Sequence, residues 1–302
     1  MHRPGLSDRG GIITGRDAET VTVRLRIPAG VITPDQLRGI ADIATRYHTG
    51  VSLTVRQTAE LTGVDPRSIP ALLEELRANG TPLGSEMNEV VNVTACPGTD
   101  RCIFAQIDSV SLARQIDARH VGRDMPVKVR IAVSSCPYSC MSERLNEIGI
   151  TGVVMPYRRP GECTGCDSCT QYCKEGAISI RNGELVLDMD RGILCGMCVI
   201  SCPYGIIHAD PPAFQITVGG RRGPRPALGR HLVTVKSGES ALRVVDMVID
   251  WIYRTAYMGS LLQDQINDLD FDEFKCRVIS TLPPEEIETG FTVPDPCGFI
   301  LS

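Results

Sequence analysis

Residues 21–28 (VTVRLRIP) alternate apolar and polar side chains, the two-residue period of a strand with one face buried. Thr33 and Pro34 then supply an N-cap and a first helical residue for a helix over 35–48. Residues 51–55 and 59–64 predict two further short strands. Pro66 opens a helix over 67–79, which Gly80 and Pro82 end. The order strand, helix, strand, strand, helix is that of a ferredoxin-like sandwich. A second unit follows: a strand over 90–94 leading into Cys96, helical spacing over 102–119, a strand over 127–133 leading into Cys136, a helix from Cys140 through Ile148, and a strand over 151–155. Between 157 and 212 cysteine and glycine become dense, and after Pro211 and Pro212 the pattern of periodic strands and helices resumes. There 214–218 is strand-like, 219–229 is a basic Gly/Pro-rich loop and 240–257 is a strong helix. The chain therefore reads as α+β: a ferredoxin-like unit over 1–83, a second domain made of 84–156 and 213–302, and an inserted domain over 157–212.

Composition narrows the function. The 302 residues carry 31 Lys and Arg against 36 Asp and Glu, so there is no basic footprint for nucleic acid. No apolar run approaches the roughly 20 residues of a membrane span. The first residues hold His2, Arg3, Asp8, Arg9, Arg16 and Asp17 around no apolar core, unlike a secretory signal. The 13 cysteines are odd in number and lie in a long chain, which fits disulfides poorly. A reducing, cytoplasmic location is expected.

Eleven of those cysteines fall into two groups. The first is Cys96 and Cys102 (C-x5-C) with Cys136 and Cys140 (C-x3-C). The second is Cys163, Cys166, Cys169 and Cys173, followed by Cys195, Cys198 and Cys202. Thiolates so spaced hold iron–sulfur clusters, and two groups imply an electron path that ends at a chemical site. Zinc is the alternative, but zinc sites rarely carry the C-x2-C-x2-C triplet, and their pairs enclose about two to four residues. The second group is a bacterial ferredoxin pattern, in which the fourth cysteine of each run crosses to the other cluster. That predicts one [4Fe-4S] cluster on Cys163, Cys166, Cys169 and Cys202, and Cys173, Cys195 and Cys198 around a second. Gly192 stands where the second run should begin. A second cluster would then be [3Fe-4S], or take Asp190, solvent or a distant cysteine as fourth ligand, or be absent. Cys276 and Cys297 are left by elimination and read more simply as ordinary, partly buried thiols.

Several strings together resemble the sulfite and nitrite reductase family that couples sirohaem to a [4Fe-4S] cluster. They are V-R-L-R-I-P-A-G-V-I-T-P (23–34), L-T-V-R-Q-T (53–58), N-V-T-A-C-P-G-T-D-R-C (92–102), K-V-R-I-A-V-S-S-C-P-Y-S-C (128–140), N-E-I-G-I-T-G (146–152) and the loop V-G-G-R-R-G-P-R-P (218–226). An inserted ferredoxin domain is similar to the anaerobic sulfite reductase C subunit and to dissimilatory-type enzymes. The resemblance implies that Cys96, Cys102, Cys136 and Cys140 hold the cluster and that the Cys140 sulfur is also the axial ligand of the sirohaem iron. It further implies six-electron reduction of a small oxyanion, sulfite or alternatively nitrite. A relative that only binds the cofactor or carries electrons is the reading outside the enzyme class.

A polycarboxylate cofactor and an anionic substrate need cations around them, and arginine pairs with both in a bidentate fork. Arg26, Arg56, Lys128 and Arg130 fall at family positions that face the cofactor or substrate. Arg24 lies on the same strand face as Arg26, with Val23, Leu25 and Ile27 opposite. Arg101, Arg221, Arg222 and Arg225 are further candidates for the carboxylates. Lys128 and Arg130 share a face and suit stabilisation of a leaving oxygen, with lysine the better proton donor. Two positions depart from the family: Arg130 replaces a usual lysine, and Val91 stands where an arginine is common. The histidines, including His48, His120, His208 and His231, lie outside the cysteine loops. No dinucleotide fingerprint is present, so electrons are expected from a separate ferredoxin, flavoprotein or partner subunit. One copy of the half-module points to a homodimer.

Overall fold

A computed structural model of the chain describes residues 10–15, 19–161, 163–181 and 183–289. The N-terminal unit contains β1 (Ile12–Thr14), β2 (Val21–Arg24), α1 (Pro34–Arg46), β3 (Gly50–Leu53), β4 (Ala59–Val64) and α2 (Ile69–Ala78). Its strands form one antiparallel sheet in the order β1-β2-β4-β3. Val23, Leu25 and Leu61 pack on Ile40 and Ile43 of α1 and Leu72 and Leu76 of α2. Thr33 caps α1 with a full capping box: its hydroxyl accepts the Gln36 N–H, and the Gln36 side chain accepts the Thr33 N–H. β1 is too short for the alternation signal and is an edge strand that only its pairing with β2 defines.

The second domain comprises β5 (Val90–Ala95), α3 (Ser109–His120), β6 (Val129–Ser134) and β7 (Ile148–Val153). After the insert come β12 (Ala213–Val218), β13 (Arg230–Val235), α6 (Gly238–Thr255), α7 (Leu262–Gln265) and α8 (Phe271–Thr281). The sheet order is β13-β12-β7-β6-β5, with β5, β6 and β7 parallel and β12 and β13 antiparallel to their neighbours. Val244, Val245, Val248, Ile249 and Ile252 of α6 are fully buried in its core. Trp251 of α6 stacks on Phe274 of α8 at 4.5 Å.

The insert holds β8 (Pro156–Arg158), α4 (Ser168–Tyr172), β9 (Ile178–Arg181), β10 (Glu184–Leu187), α5 (Met197–Ser201) and β11 (Ile207–Ala209). Its two ends leave the main sheet side by side, because Val153 pairs with Ala213. β8 and β11 then pair as a two-stranded neck. The insert is thus a long hairpin loop that folded, and it leaves the main sheet's register undisturbed. Among the described residues no helix is long and apolar enough to cross a membrane.

Two helices differ from the sequence-based expectation. The helical pattern over 102–119 starts only at Ser109, capped by Asp108, because Cys102 and its neighbours form turns. The helix expected from Cys140 does not form. Ser142 is left-handed there, and a single 3-10 turn, Glu143–Leu145, precedes β7.

Candidate functional site

The parallel pairing of β5 with β6 sets the site. Both strands end on the same edge, so β5 delivers Cys96 beside the point where β6 delivers Cys136. Both cysteines are buried. The Cys96 sulfur accepts the Ser135 N–H at 3.1 Å and lies 2.9 Å from the Ser135 hydroxyl. Burial alone would push the Cys96 thiol up, but hydrogen bonds from Ser109, Ser135 and Gly98 outweigh it and hold the thiol below its ordinary value. Cys136 is pushed up to about 11 by burial and then by the neighbouring sulfurs of Cys102, Cys96 and Cys140. All four sulfurs of the first group therefore share one neighbourhood.

Glycines of the 146–152 string let β7 approach the cysteine loops. A Cβ on Gly152 would lie 2.3 Å from the Ser135 carbonyl oxygen, and one on Gly149 2.5 Å from that of Glu143. Glu143 is fully buried and organises the loop that carries Cys140. Its carboxylate accepts the hydroxyls of Ser134 at 2.5 Å, Ser139 at 2.7 Å and Thr151 at 2.8 Å.

Cys140 opens onto a hollow whose polar lining includes Arg56, Asn92, Thr94, Arg130 and Arg222. Burial, and then Arg24, Arg130 and Arg222, pull Arg56 below the ordinary arginine range. Lys128 is pushed down to about 8 by burial and by Arg56, Arg24 and Arg130, although its ammonium bonds Glu86 at 2.7 Å. Arg130 is held by a two-point pair with Glu147, at 2.8 and 2.5 Å. Arg24 is buried between Glu60 and Glu86. Arg222 donates to the Met141 carbonyl at 2.7 Å and so ties the basic loop to the Cys140 loop.

Other sequence-derived positions are not brought to the hollow. Arg26 turns to α3, where it bonds the Asp117 carboxylate at 2.7 Å and the Asp117 carbonyl at 2.8 Å. The strand ends at Arg24, so alternation no longer carries Arg26 to the same face. Arg221 is engaged by Asp264 and the Arg225 carbonyl, while Arg101 and Arg225 are exposed. Val91 is fully buried and does not line the hollow. Asn92 and Thr94, which the motifs did not single out, do. Their signal was two polar residues at a two-residue interval on an otherwise apolar strand. The Asn92 amide donates to the Arg56 carbonyl, and its buried Oδ1 has no protein partner.

In the insert, Cys163, Cys166, Cys169 and Cys202 line one hollow. Cys173, Cys195, Cys198 and Gly192 line another. Burial and the nearby Cys195 push Cys198 up to about 11. Among the described residues, no three His, Cys, Asp or Glu side chains close tightly on a single point as one bare ion requires. The cysteines ring hollows instead. The second hollow abuts the main domain: Tyr138, between Cys136 and Cys140 in sequence, places its hydroxyl 3.9 Å from the Cys195 sulfur. Gln106 donates to the Cys195 carbonyl at 3.0 Å and Val154 to that of Leu194 at 3.1 Å. Cys276, on α8 in the main domain, is disulfide-bonded and not the ordinary thiol expected, Asp190 is exposed, and Cys297 and His2 fall outside the described residues. His120 pairs with Asp246 and His231 with Thr234, away from the cysteine loops.

An α+β fold that gathers four cysteines, Cys96 and Cys136 buried and Cys140 exposed, beside a hollow lined by arginines defines an iron–sulfur oxidoreductase class. The nitrite/sulfite reductase ferredoxin-like half domain model matches residues 13–79, and the nitrite and sulphite reductase 4Fe-4S domain model matches residues 86–284. The chain belongs to the nitrite and sulphite reductase family. It is 32% identical over 248 residues to a coenzyme F420-dependent sulfite reductase of Methanocaldococcus jannaschii, covering 82% of this chain and 38% of that protein. It is 24% identical over 228 residues to the anaerobic sulfite reductase C subunit of Salmonella typhimurium, covering 69% of this chain and 67% of that one. The crystal structure of a dissimilatory sulfite reductase I shares the fold, with a TM-score of 0.70 at 17% identity, over 92% of this chain and 73% of that one.

Proposed function

We propose that this chain is a sirohaem- and iron–sulfur-dependent reductase that takes sulfite to sulfide, with electrons entering through the insert. The observation that carries this reading is that Cys140 belongs at once to the thiol quartet and to the wall of the cationic hollow. The residues fit the groups. The quartet would hold a [4Fe-4S] cluster, with Cys140 shared with the sirohaem iron. Arg56, whose charge is disfavoured by burial and by Arg24, Arg130 and Arg222, lines the hollow with Arg130 and Arg222, and the three suit a polycarboxylate. The unpartnered Asn92 oxygen suits a donor group on what fills the hollow.

When bound, sirohaem and its cluster supply the electron transfer and the iron at which sulfur–oxygen bonds break. The net change consumes six electrons and six protons per bisulfite and yields hydrosulfide and three waters. The protein's part is to bind and orient. Arg56 and Arg130 clamp anionic oxygens, and Arg130 is itself aimed by Glu147. Lys128 holds a proton at Nζ that its depressed affinity makes transferable near neutral pH. Where the family commonly has an arginine, Val91 is buried and does not line the hollow, and the clamp is left to Arg56 and Arg130 without that arginine. The Asn92 amide oxygen does not replace it, because it accepts hydrogen bonds and donates none.

The loop bearing Cys195 is the part of the insert packed on the Cys136–Cys140 loop, which favours the insert as the electron port. Electrons would come from a separate ferredoxin, flavoprotein or partner subunit. The F420-dependent relative is named for its donor, and this chain matches 38% of its length. A homodimer would cover Val51 and Leu53 on the exposed edge strand β3, together with the neighbouring Val55.

The optical spectrum of the anaerobically purified protein tests the cofactor. A Soret band with a chlorin-type red band is expected, and broad iron–sulfur absorption alone would refute it. Turnover of sulfite against nitrite with a chemical donor then fixes the substrate. Preference for nitrite would overturn the sulfite reading, and absence of turnover in a sirohaem-loaded protein would make the chain a carrier.

A further inference from the structure

We propose that the second hollow of the insert holds an iron–sulfur cluster with one corner bare of protein, at Gly192, and that the iron of this corner is exchangeable. The inference rests on the reading of the insert as an iron–sulfur domain. The two hollows differ in one respect. The first is ringed by four thiols, from Cys163, Cys166, Cys169 and Cys202. The second has three, from Cys173, Cys195 and Cys198, and Gly192 takes the remaining part of the wall.

A side chain at that place would press on one carbonyl oxygen, which a shift of a few tenths of an ångström relieves. A Cβ there would meet the Asp188 carbonyl oxygen at 3.3 Å and the next atoms only at 3.9 Å. The Gly192 N–H bonds the Asp188 carbonyl at 3.0 Å, an arrangement any residue but proline can keep. The missing thiol is therefore a chemical difference, with no packing need behind it. Two neighbouring polar groups are committed elsewhere. The Asp188 carboxylate accepts the backbone N–H groups of Asp190 at 3.1 Å and Arg191 at 3.2 Å. The Tyr138 hydroxyl faces Cys195, whose sulfur already serves a different corner. Asp190 is exposed and does not line the hollow, whereas Glu175 lines it from an exposed position and is the carboxylate left to compete for the corner.

Three thiolates anchor three irons. A fourth iron would carry only a solvent-derived or small-molecule ligand, and one-electron oxidation releases it. In that step [4Fe-4S]2+ gives [3Fe-4S]+, Fe2+ and one electron, and ferricyanide accepts the electron. Ferrous iron with dithionite reverses it.

The test uses the complete holoprotein, purified anaerobically and treated with ferricyanide. Released iron is trapped by a ferrous chelator, and the sample is read by electron paramagnetic resonance. Wild type is expected to release one iron per chain and to show the signal of an oxidised three-iron cluster. Gly192→Cys should retain that iron and lack the signal. Gly192→Ala, with the same Cβ and no thiol, should behave as wild type. A wild-type cluster that keeps all its iron under oxidation overturns the proposal, as does a Gly192→Cys protein that loses iron as readily as wild type. So does an Asp190→Ala or Glu175→Ala protein that loses its fourth iron before ferricyanide is added. If iron and acid-labile sulfide instead fall short by a whole cluster, it is the iron–sulfur reading of this hollow that fails, and the Soret band reports separately on the sirohaem reading.

Discussion

Lys128 and His231 are both pushed well below their ordinary values, and both give pH dependences. Lys128 titrates near 8 because burial, Arg56, Arg24 and Arg130 disfavour its charge. If it delivers protons, kcat for sulfite should fall as pH rises through about 8. Lys128→Arg should move that decline to higher pH, and Lys128→Ala should cost about 100-fold or more in kcat. The same shift affects stability in the cofactor-free protein. Between about 8 and the unfolded value of about 10.4 the unfolded chain binds more protons, so this residue's contribution rises with pH there. His231 is pushed down to about 4 by burial, then by Lys275 and Arg144. The unfolded histidine protonates below about 6.5, so stability should be lost as pH falls from about 6.5 to 4. Urea unfolding of His231→Gln should lack this loss. At the hollow, Arg56→Ala should weaken sirohaem binding by about 1.5–3 kcal/mol, roughly 10- to 100-fold, whereas Arg101→Ala and Arg225→Ala should leave it within about twofold. A titration followed at the Soret band separates these outcomes.

The loop from Cys136 to Glu143 shows why local propensity failed there. Ser139 and Ser142 have φ of 58° and 48°, conformations a helix excludes and non-glycine residues rarely adopt. The buried Glu143 carboxylate holds them through the Ser139 hydroxyl and fastens the loop to β6 and β7 through Ser134 and Thr151. Glu143→Ala leaves two buried hydroxyls and a half-buried one without their acceptor and should cost about 3 kcal/mol or more, with loss of iron from the quartet. Glu143→Gln should cost less, since an amide oxygen still accepts. Thermal unfolding and iron analysis check both. Gly152→Ala should be as damaging as Glu143→Ala, because its Cβ would strike the rigid Ser135 backbone next to Cys136. Elements with a strong internal period, such as α1, β4 and α6, were legible in the sequence; β1 and β13 are defined by their neighbours.

At the scale of the molecule, the neck of β8 and β11 makes the insert separable. Excising residues 155–211 should leave a folded main domain that retains the quartet and binds sirohaem, while reduction by a protein donor falls to background. Far-UV circular dichroism and the Soret spectrum check the first part, and donor-linked turnover the second. The amino-acid sequence determined by itself that this chain has cysteine loops at cluster spacing, a ferredoxin-like unit and a cysteine-dense insert, because spacing and periodicity are properties of the chain. Which arginines share a cavity was decided only in three dimensions. Arg26 reads as an equal of Arg24, yet a strand that ends at Arg24 lets Asp117 capture it. Arg56, Arg130 and Arg222 come from three distant segments and meet because two domains and a loop close around one space. Partial burial and the neighbouring arginines disfavour the Arg56 charge there, and no single segment carries that effect.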